Sequence, residues 1–154
     1  MLIRLFLRKN ESMNIQKATF GLGCFWGAQD VFDRVKGVKK TIVGYMGGRT
    51  EDPTYEDICA GSGHTEVVQM EYDEDEVSFE DLLKVFFKNH NSSLKNKEQY
   101  KSVVFYHTEY QRKTAEKFKD ESSVTEIRPA EKFYKAEEYH QHYFKKNNKK
   151  SCHI

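Results

Sequence analysis

A chain of 154 residues has room for one domain and its core, and not for two of ordinary size. Its 25 basic and 24 acidic side chains leave a formal charge of +1, which argues against a broad electrostatic grip on nucleic acid. Charged residues at 32% suit a soluble surface and aromatics at 14% suit a packed core, so disorder throughout is excluded, while the short apolar runs give no membrane-spanning helix.

Three cysteines cannot close a disulfide framework, because one is always left over. The odd count points to a reducing, cytoplasmic setting in which a cysteine serves reactivity or packing. The apolar run at Met1 to Lys9 is short, is broken at Arg4 and has no small-residue cleavage site after it. Residues 1–12 are therefore expected to be a disordered extension, with one catalytic domain over 13–154.

Gln16 to Phe20 reads as a strand entering the turn Gly21-Leu22-Gly23. Cys24 to Val35 follows as a helix, with Phe25, Ala28, Val31 and Phe32 at helical spacing and Gly37 as its stop. Val38 to Tyr45 is a second strand, closed by Gly47-Gly48, and 46–63 is glycine-rich loop. Thr65 to Tyr72 alternates as a half-buried strand should. Ser78 and Asp81 form a capping-box pattern ahead of the apolar helix Phe79 to Phe87. Asn89 to Lys101 is polar loop, and Ser102 to Tyr106 is a short buried strand. Thr108 and Gln111 open another helix by the same capping logic, and Val124 to Arg128 reads as an edge strand. Ala136 to Phe144 is expected to be the last helix, followed by a mobile basic tail over 145–154. The order strand–helix–strand–strand–helix–strand predicts an α+β fold of the ferredoxin-like, split βαβ type. Its sheet would be antiparallel or mixed, with helices on one face.

Cys24 follows a strand and a glycine turn and opens a helix. Free backbone N–H groups and the positive end of the helix dipole favour a thiolate there. Such a cysteine is either a nucleophile or an ordinary buried thiol. Glu66 shares strand parity with Val68 and Met70. If that parity faces the core, its carboxyl keeps a proton to higher pH and can act as a general acid. Tyr55 and Tyr100 offer uncharged phenol donors. Cys152 lies beyond the lysine run, where a thiol that must travel to another thiol would be placed, and Cys59 reads as a small packing residue. Cys59, His64, Cys152 and His153 include no C-x-x-C pair, so a structural zinc is not expected, and His140-Gln141-His142 reads as a polar helix face.

Gly23-Cys24-Phe25-Trp26-Gly27 resembles the active-site signature of the peptide methionine sulfoxide reductase A family. Five further stretches resemble its motifs in order: Gly44 to Gly48, Pro53-Thr54-Tyr55, Gly63 to Val68, Gln99 to Ser102, and Phe133 to Tyr143. The resemblance implies a stereospecific methionine-S-sulfoxide reductase. Cys24 would attack the sulfoxide sulfur, Glu66 would donate the proton, and Tyr55 and Tyr100 would bind the oxygen. Phe25, Trp26 and His64 would line the substrate pocket. Cys152 would then close a disulfide with Cys24, and thioredoxin, or dithiothreitol in its place, would reopen it. The family uses no metal or organic cofactor, and a monomer is expected. One segment departs from the family pattern. Only Leu94 to Glu98 lead into Gln99-Tyr100, so Lys95 stands where the family has an aspartate, and Glu98 is the nearest acidic substitute. A redox-sensing or binding protein with little turnover is the alternative on the same fold.

Overall fold

The computed structural model describes residues 14–147. The expected extension over 1–12, and Cys152 with the end of the expected tail, lie outside the described residues. Six strands form one sheet: β1 (Ile15–Leu22), β2 (Val38–Met46), β3 (Thr65–Asp73), β4 (Ser102–Tyr106), β5 (Glu126–Pro129) and β6 (Tyr134–Lys135). Their order across the sheet is β5-β4-β1-β3-β2-β6. The four central strands pair antiparallel, β6 adds antiparallel to β2, and β5 adds parallel to β4. The middle of the sheet thus has the split βαβ order, and the fold is α+β as the element order predicts.

Helices α1 (Phe25–Asp33), α3 (Phe79–Lys88) and α4 (Glu109–Phe118) contribute to one core cluster with the inward side chains of the sheet. Phe20 is its centre, with the rings of Phe32, Phe79 and Phe86 each 5.1 to 5.9 Å away. Capping starts two of these helices as expected. Ser78 Oγ accepts from Asp81 N–H while the Asp81 carboxylate accepts from Ser78 N–H, so Asp serves where Glu or Gln is usual. Thr108 Oγ1 accepts from Gln111 N–H, but Gln111 Oε1 reaches past the cap to His107 N–H.

Three expectations are corrected. The alternation in β3 predicts one wet face, yet both faces are buried over Thr65 to Val68. Val67 packs with Met46, Val103 and Phe105 in a second apolar cluster on the far side, which Ala130 and Phe133 cover. The glycine-rich loop after β2 contains a helix, α2 (Tyr55–Cys59), started by Thr54 and Asp57 in a reciprocal cap. The expected last helix over 136–144 does not form. After β6, a 3-10 turn at Glu138–His140 and the short α5 (Tyr143–Lys146), which follows His142 at φ +51°, stand in its place. Lys145 and Lys146, expected in a mobile tail, belong to α5, and Lys145 pairs with Asp33 at 3.3 Å.

Tertiary hydrogen bonds explain why the helical spacing at 136–144 fails. Gln141 lies beside the edge of β2, where its amide accepts from Val43 N–H at 3.0 Å. It donates to Val43 O at 2.9 Å and to Ala136 O at 3.1 Å. A side-chain amide thus continues the sheet where the backbone cannot. Gln29 of α1 accepts from His142 N–H at 2.7 Å, and Asp33 binds His142 Nδ1 at 3.0 Å. Replacing the buried Gln141 by Leu leaves Val43 N–H and Ala136 O without this partner, while Val43 O keeps Ala136 N–H, so Gln141→Leu should cost about 2 kcal/mol. Denaturant unfolding checks this; a loss under about 1 kcal/mol would show that Gln141 does not anchor the segment.

Candidate active site

Gly23, at φ +98°, makes the turn from β1 into α1, a backbone conformation that suits glycine. Cys24 stands at the N-cap of α1 with extended dihedrals, and its side chain does not cap the helix. Its thiol is half-buried. The cap comes from elsewhere: Glu66 Oε1 accepts from Phe25 N–H at 3.2 Å, across 41 residues of chain. A carboxylate at a helix N-terminus is favoured by the unpaired N–H groups and the dipole. The sequence expectation placed Cys24 and Glu66 on separate elements, and the fold brings their surroundings together.

Glu66 lies opposite Tyr45 in the β2–β3 pairing and is 1% exposed. It shares parity with Val68, Met70 and Tyr72, which all belong to the main core. Burial pushes its carboxyl up to about 7. Hydrogen bonds from Phe25 N–H and from Gln99 Nε2, at 3.1 Å, work the other way. Near neutral pH the group holds a proton for much of the time, which is what a general acid needs.

Tyr55 and Tyr100 gather at the same carboxyl. Burial raises both phenols above their ordinary value, and the negative charge of Glu66 adds to this in each. Both therefore remain donors. Tyr55 begins α2, and its N–H donates to Glu137 Oε2 at 2.9 Å. Tyr100 ends a 3-10 turn at Glu98–Tyr100, tied to β3 by Thr65 Oγ1 donating to Glu98 O at 3.0 Å. Glu98 turns to Lys101 Nζ at 2.7 Å, and Lys95 is exposed, so neither supplies a carboxylate to Tyr100.

Trp26 is held on two sides. Its indole stacks on Tyr143 at 3.7 Å and 6°, and Nε1–H donates to His140 Nδ1 at 2.9 Å. Phe25 is buried beside Tyr45 and His140. His64 takes a different part from the one expected. It is 2% exposed, its Nδ1 accepts from Gly48 N–H at 3.0 Å, and its Nε2 donates to Thr50 O at 2.7 Å. A Cβ on Gly48 would lie 2.4 Å from the ring, so the glycine makes this clasp possible. With both nitrogens engaged, His64 shapes the loop and offers no atom to a ligand.

Sequence reasoning passed over three residues. Gln99 bonds Glu66 directly. Glu137 accepts from the Tyr45 hydroxyl at 2.8 Å as well as from Tyr55 N–H. Burial pushes the Glu137 carboxyl up, but the hydrogen bonds from Tyr55, its own backbone and Tyr45 outweigh it, and it stays below the usual range. His140 is 1% exposed rather than part of a polar helix face. All three lie inside the family-like stretches, but the helical reading of 136–144 hid the inward direction of Glu137 and His140. Cys59, read as packing, is exposed at the rim, with its Sγ 3.9 Å from Gln99 Nε2. Among the described residues no cluster of His, Cys, Asp and Glu is arranged to hold a metal ion.

The carboxyl of Glu66 makes stability depend on pH. Its folded value near 7 lies above the ordinary 4.5, so the native state holds the proton more tightly. Stability is then full at acid pH, falls as pH rises through that window, and stays lower above it. Glu66→Gln removes the titration. Its stability relative to the parent should therefore improve by about 3 kcal/mol from pH 4 to pH 8, measured by urea unfolding. Parallel stability curves would show that Glu66 is not held in its raised state.

The family model of peptide methionine sulfoxide reductase matches residues 16–154. A methionine sulfoxide reductase of Methanothermobacter thermautotrophicus, MsrA, is 48% identical over 90% of this chain and 92% of its own. One from Acidobacterium capsulatum is 42% identical over 90% of this chain and 99% of its own. Among solved structures, reduced Mxr1 of Saccharomyces cerevisiae superposes with a TM-score of 0.84 at 28% identity, covering 90% and 89% of the two chains. Mxr1 has also been crystallised in complex with Trx2. With a buried acid capping the helix that starts after Cys24, and with this similarity along nearly its whole length, the chain belongs to the peptide methionine sulfoxide reductase family.

Proposed function

We propose that this reductase works on the S epimer of methionine sulfoxide, peptide-bound or free, through Cys24, with Glu66 as the acid. The observation that carries this reading is the buried Glu66 carboxyl, raised to about 7 and bonded to the first amide after Cys24. The sulfoxide oxygen would sit among Glu66, Tyr55 and Tyr100, which are donors near neutral pH. Phe25 and Trp26 would receive the S-methyl group, since they are the aromatic side chains that follow the nucleophile. The Cys24 sulfur attacks the sulfoxide sulfur as Glu66 protonates the oxygen. The oxygen ends on Cys24 as a sulfenic acid, and methionine leaves as the reduced product.

Cys152 then condenses with the sulfenic acid, forming the Cys24–Cys152 disulfide and releasing water. A thioredoxin dithiol exchanges with that disulfide, restores both thiols and becomes oxidised itself. The family resemblance supports this partner, and the yeast relative's complex with Trx2 agrees with it. The odd cysteine count supports a reducing, cytoplasmic setting. Within the described residues no helix is long and apolar enough to cross a membrane. The reading takes the enzyme as a monomer without a metal or organic cofactor.

Turnover of separate epimers with dithiothreitol tests the reaction. Activity on the S epimer alone is expected; equal activity on R would sink the stereochemical assignment. Cys24→Ser should abolish reduction, and turnover by that variant would remove Cys24 as the nucleophile. Cys152→Ser should release about one equivalent of methionine and then stall with thioredoxin, because no disulfide is presented. Sustained rates would give the resolving role to another thiol. Glu66→Gln should retain more rate than Glu66→Ala, since an amide still donates a hydrogen bond to the oxygen. The opposite ranking would count against proton donation from this position.

A further inference from the structure

Trp26 Nε1–H can only donate, so His140 Nδ1 must accept the 2.9 Å bond between them. The neutral imidazole then carries its proton on Nε2. Among the described residues Nε2 has no hydrogen-bond partner, although the ring is 1% exposed. The imidazole is packed in aromatic rings: Tyr139 at 4.1 Å, Tyr55 at 4.7 Å, Phe25 at 5.1 Å and Trp26 at 5.7 Å. Although the Trp26 N–H would lose its acceptor, phenylalanine would fill such a cage without bringing a donor of its own. Histidine leaves one unmet and is costly for packing alone. What it adds is an acceptor at Nδ1, aimed at the indole N–H. The other face of that indole restraint is the stack on Tyr143, so the bond to His140 sets how the ring is turned within its own plane.

We propose that His140 is a positioning residue for the reaction: through Nδ1 it fixes the Trp26 indole in the orientation that receives the S-methyl group. The inference rests on the reading above that Trp26 lines the substrate pocket. The imidazole must be neutral for this. A proton on Nδ1 would set donor against donor, and the bond to Trp26 would be lost. The groups facing the ring favour the neutral form on balance. Burial lowers its affinity for a proton, the charge of Glu137 raises it, and Lys146 lowers it again. Tyr55 of α2 and Tyr139 present neutral rings, and Phe25 and Trp26 of α1 carry no charge.

Trp26 is the one tryptophan in the chain, so its fluorescence reports this bond without interference. Two variants separate the functions of the ring. His140→Phe keeps the packing and removes the acceptor. His140→Asn keeps a carbonyl acceptor near the Nδ1 position and cannot titrate. In single-turnover reduction of a methionine-S-sulfoxide peptide, His140→Phe should raise the half-saturating concentration about tenfold and leave the limiting rate within about twofold. Its Trp26 emission should shift, and His140→Asn should restore both readings most of the way. Acid titration should change the emission of the parent and not of His140→Asn. Unchanged emission and unchanged half-saturation in His140→Phe would overturn the proposal. Shifted emission with unchanged half-saturation would overturn it through its premise: His140 would hold Trp26, and Trp26 would lie outside the substrate pocket. Should His140→Phe fail to fold by circular dichroism, the titration decides, and an acid transition that persists in His140→Asn overturns the proposal.

Discussion

The site depends on one carboxyl group kept inside the apolar sheet. Glu66 stands on a central strand, with helices packed over its face and Tyr45 as its strand neighbour. Burial keeps water from it, so among the described residues its charged form is held by hydrogen bonds from Phe25 N–H and Gln99. Those two bonds do not fully replace water, and the carboxyl binds its proton up to about pH 7. The same bond to Phe25 N–H caps the helix that Cys24 begins. One contact therefore places the proposed acid beside the helix start at Cys24 and offsets part of what burial does to its proton affinity.

The second constraint is the docking of residues 136–146 onto β2 and α1. Gln141 bonds the edge of β2, while Gln29 and Asp33 hold His142. Around these anchors the chain has no long helix, and the left-handed His142 itself turns it. That irregular path delivers Glu137 to Tyr45 and Tyr55, His140 to Trp26, and Tyr143 to the face of the indole. A regular helix would keep residues 137, 140 and 141 on one face but turn residue 143 away from it, whereas here the turn at His142 brings Tyr143 onto the indole.

Local rules carried the reading of the sequence far. The strand readings of β1 and β2, the apolar spacing of α1 and α3, and the Ser78 and Thr108 caps all depend on near neighbours. These features appear in the structure within a residue or two of where the pattern puts them. The parity argument for Glu66 was also legible, because Val68 and Met70 lie inward beside it. The second buried face of β3 was not legible, since its cover comes from β4 and from Ala130 and Phe133, far along the chain. The same holds for His64: its sequence surroundings look like a ligand contact, and only the approach of Gly48 and Thr50 engages both ring nitrogens.

By itself the sequence determined the α+β class, the helix-capping place of Cys24, the inward parity of Glu66 and the family to which the motifs point. The first three follow from spacing and local backbone chemistry, and the last from the resemblance of the motifs. Tertiary structure alone decided that Glu66 caps the helix of Cys24, that Gln99 and Glu137 serve the site, that Cys59 is exposed at its rim, and that His140 is buried against Trp26. All but one depend on contacts between residues 33 to 114 positions apart; the exposure of Cys59 depends on which elements leave it uncovered. A hydrogen bond across such a span is selected by how sheet and helices pack, and no local pattern in the chain encodes it.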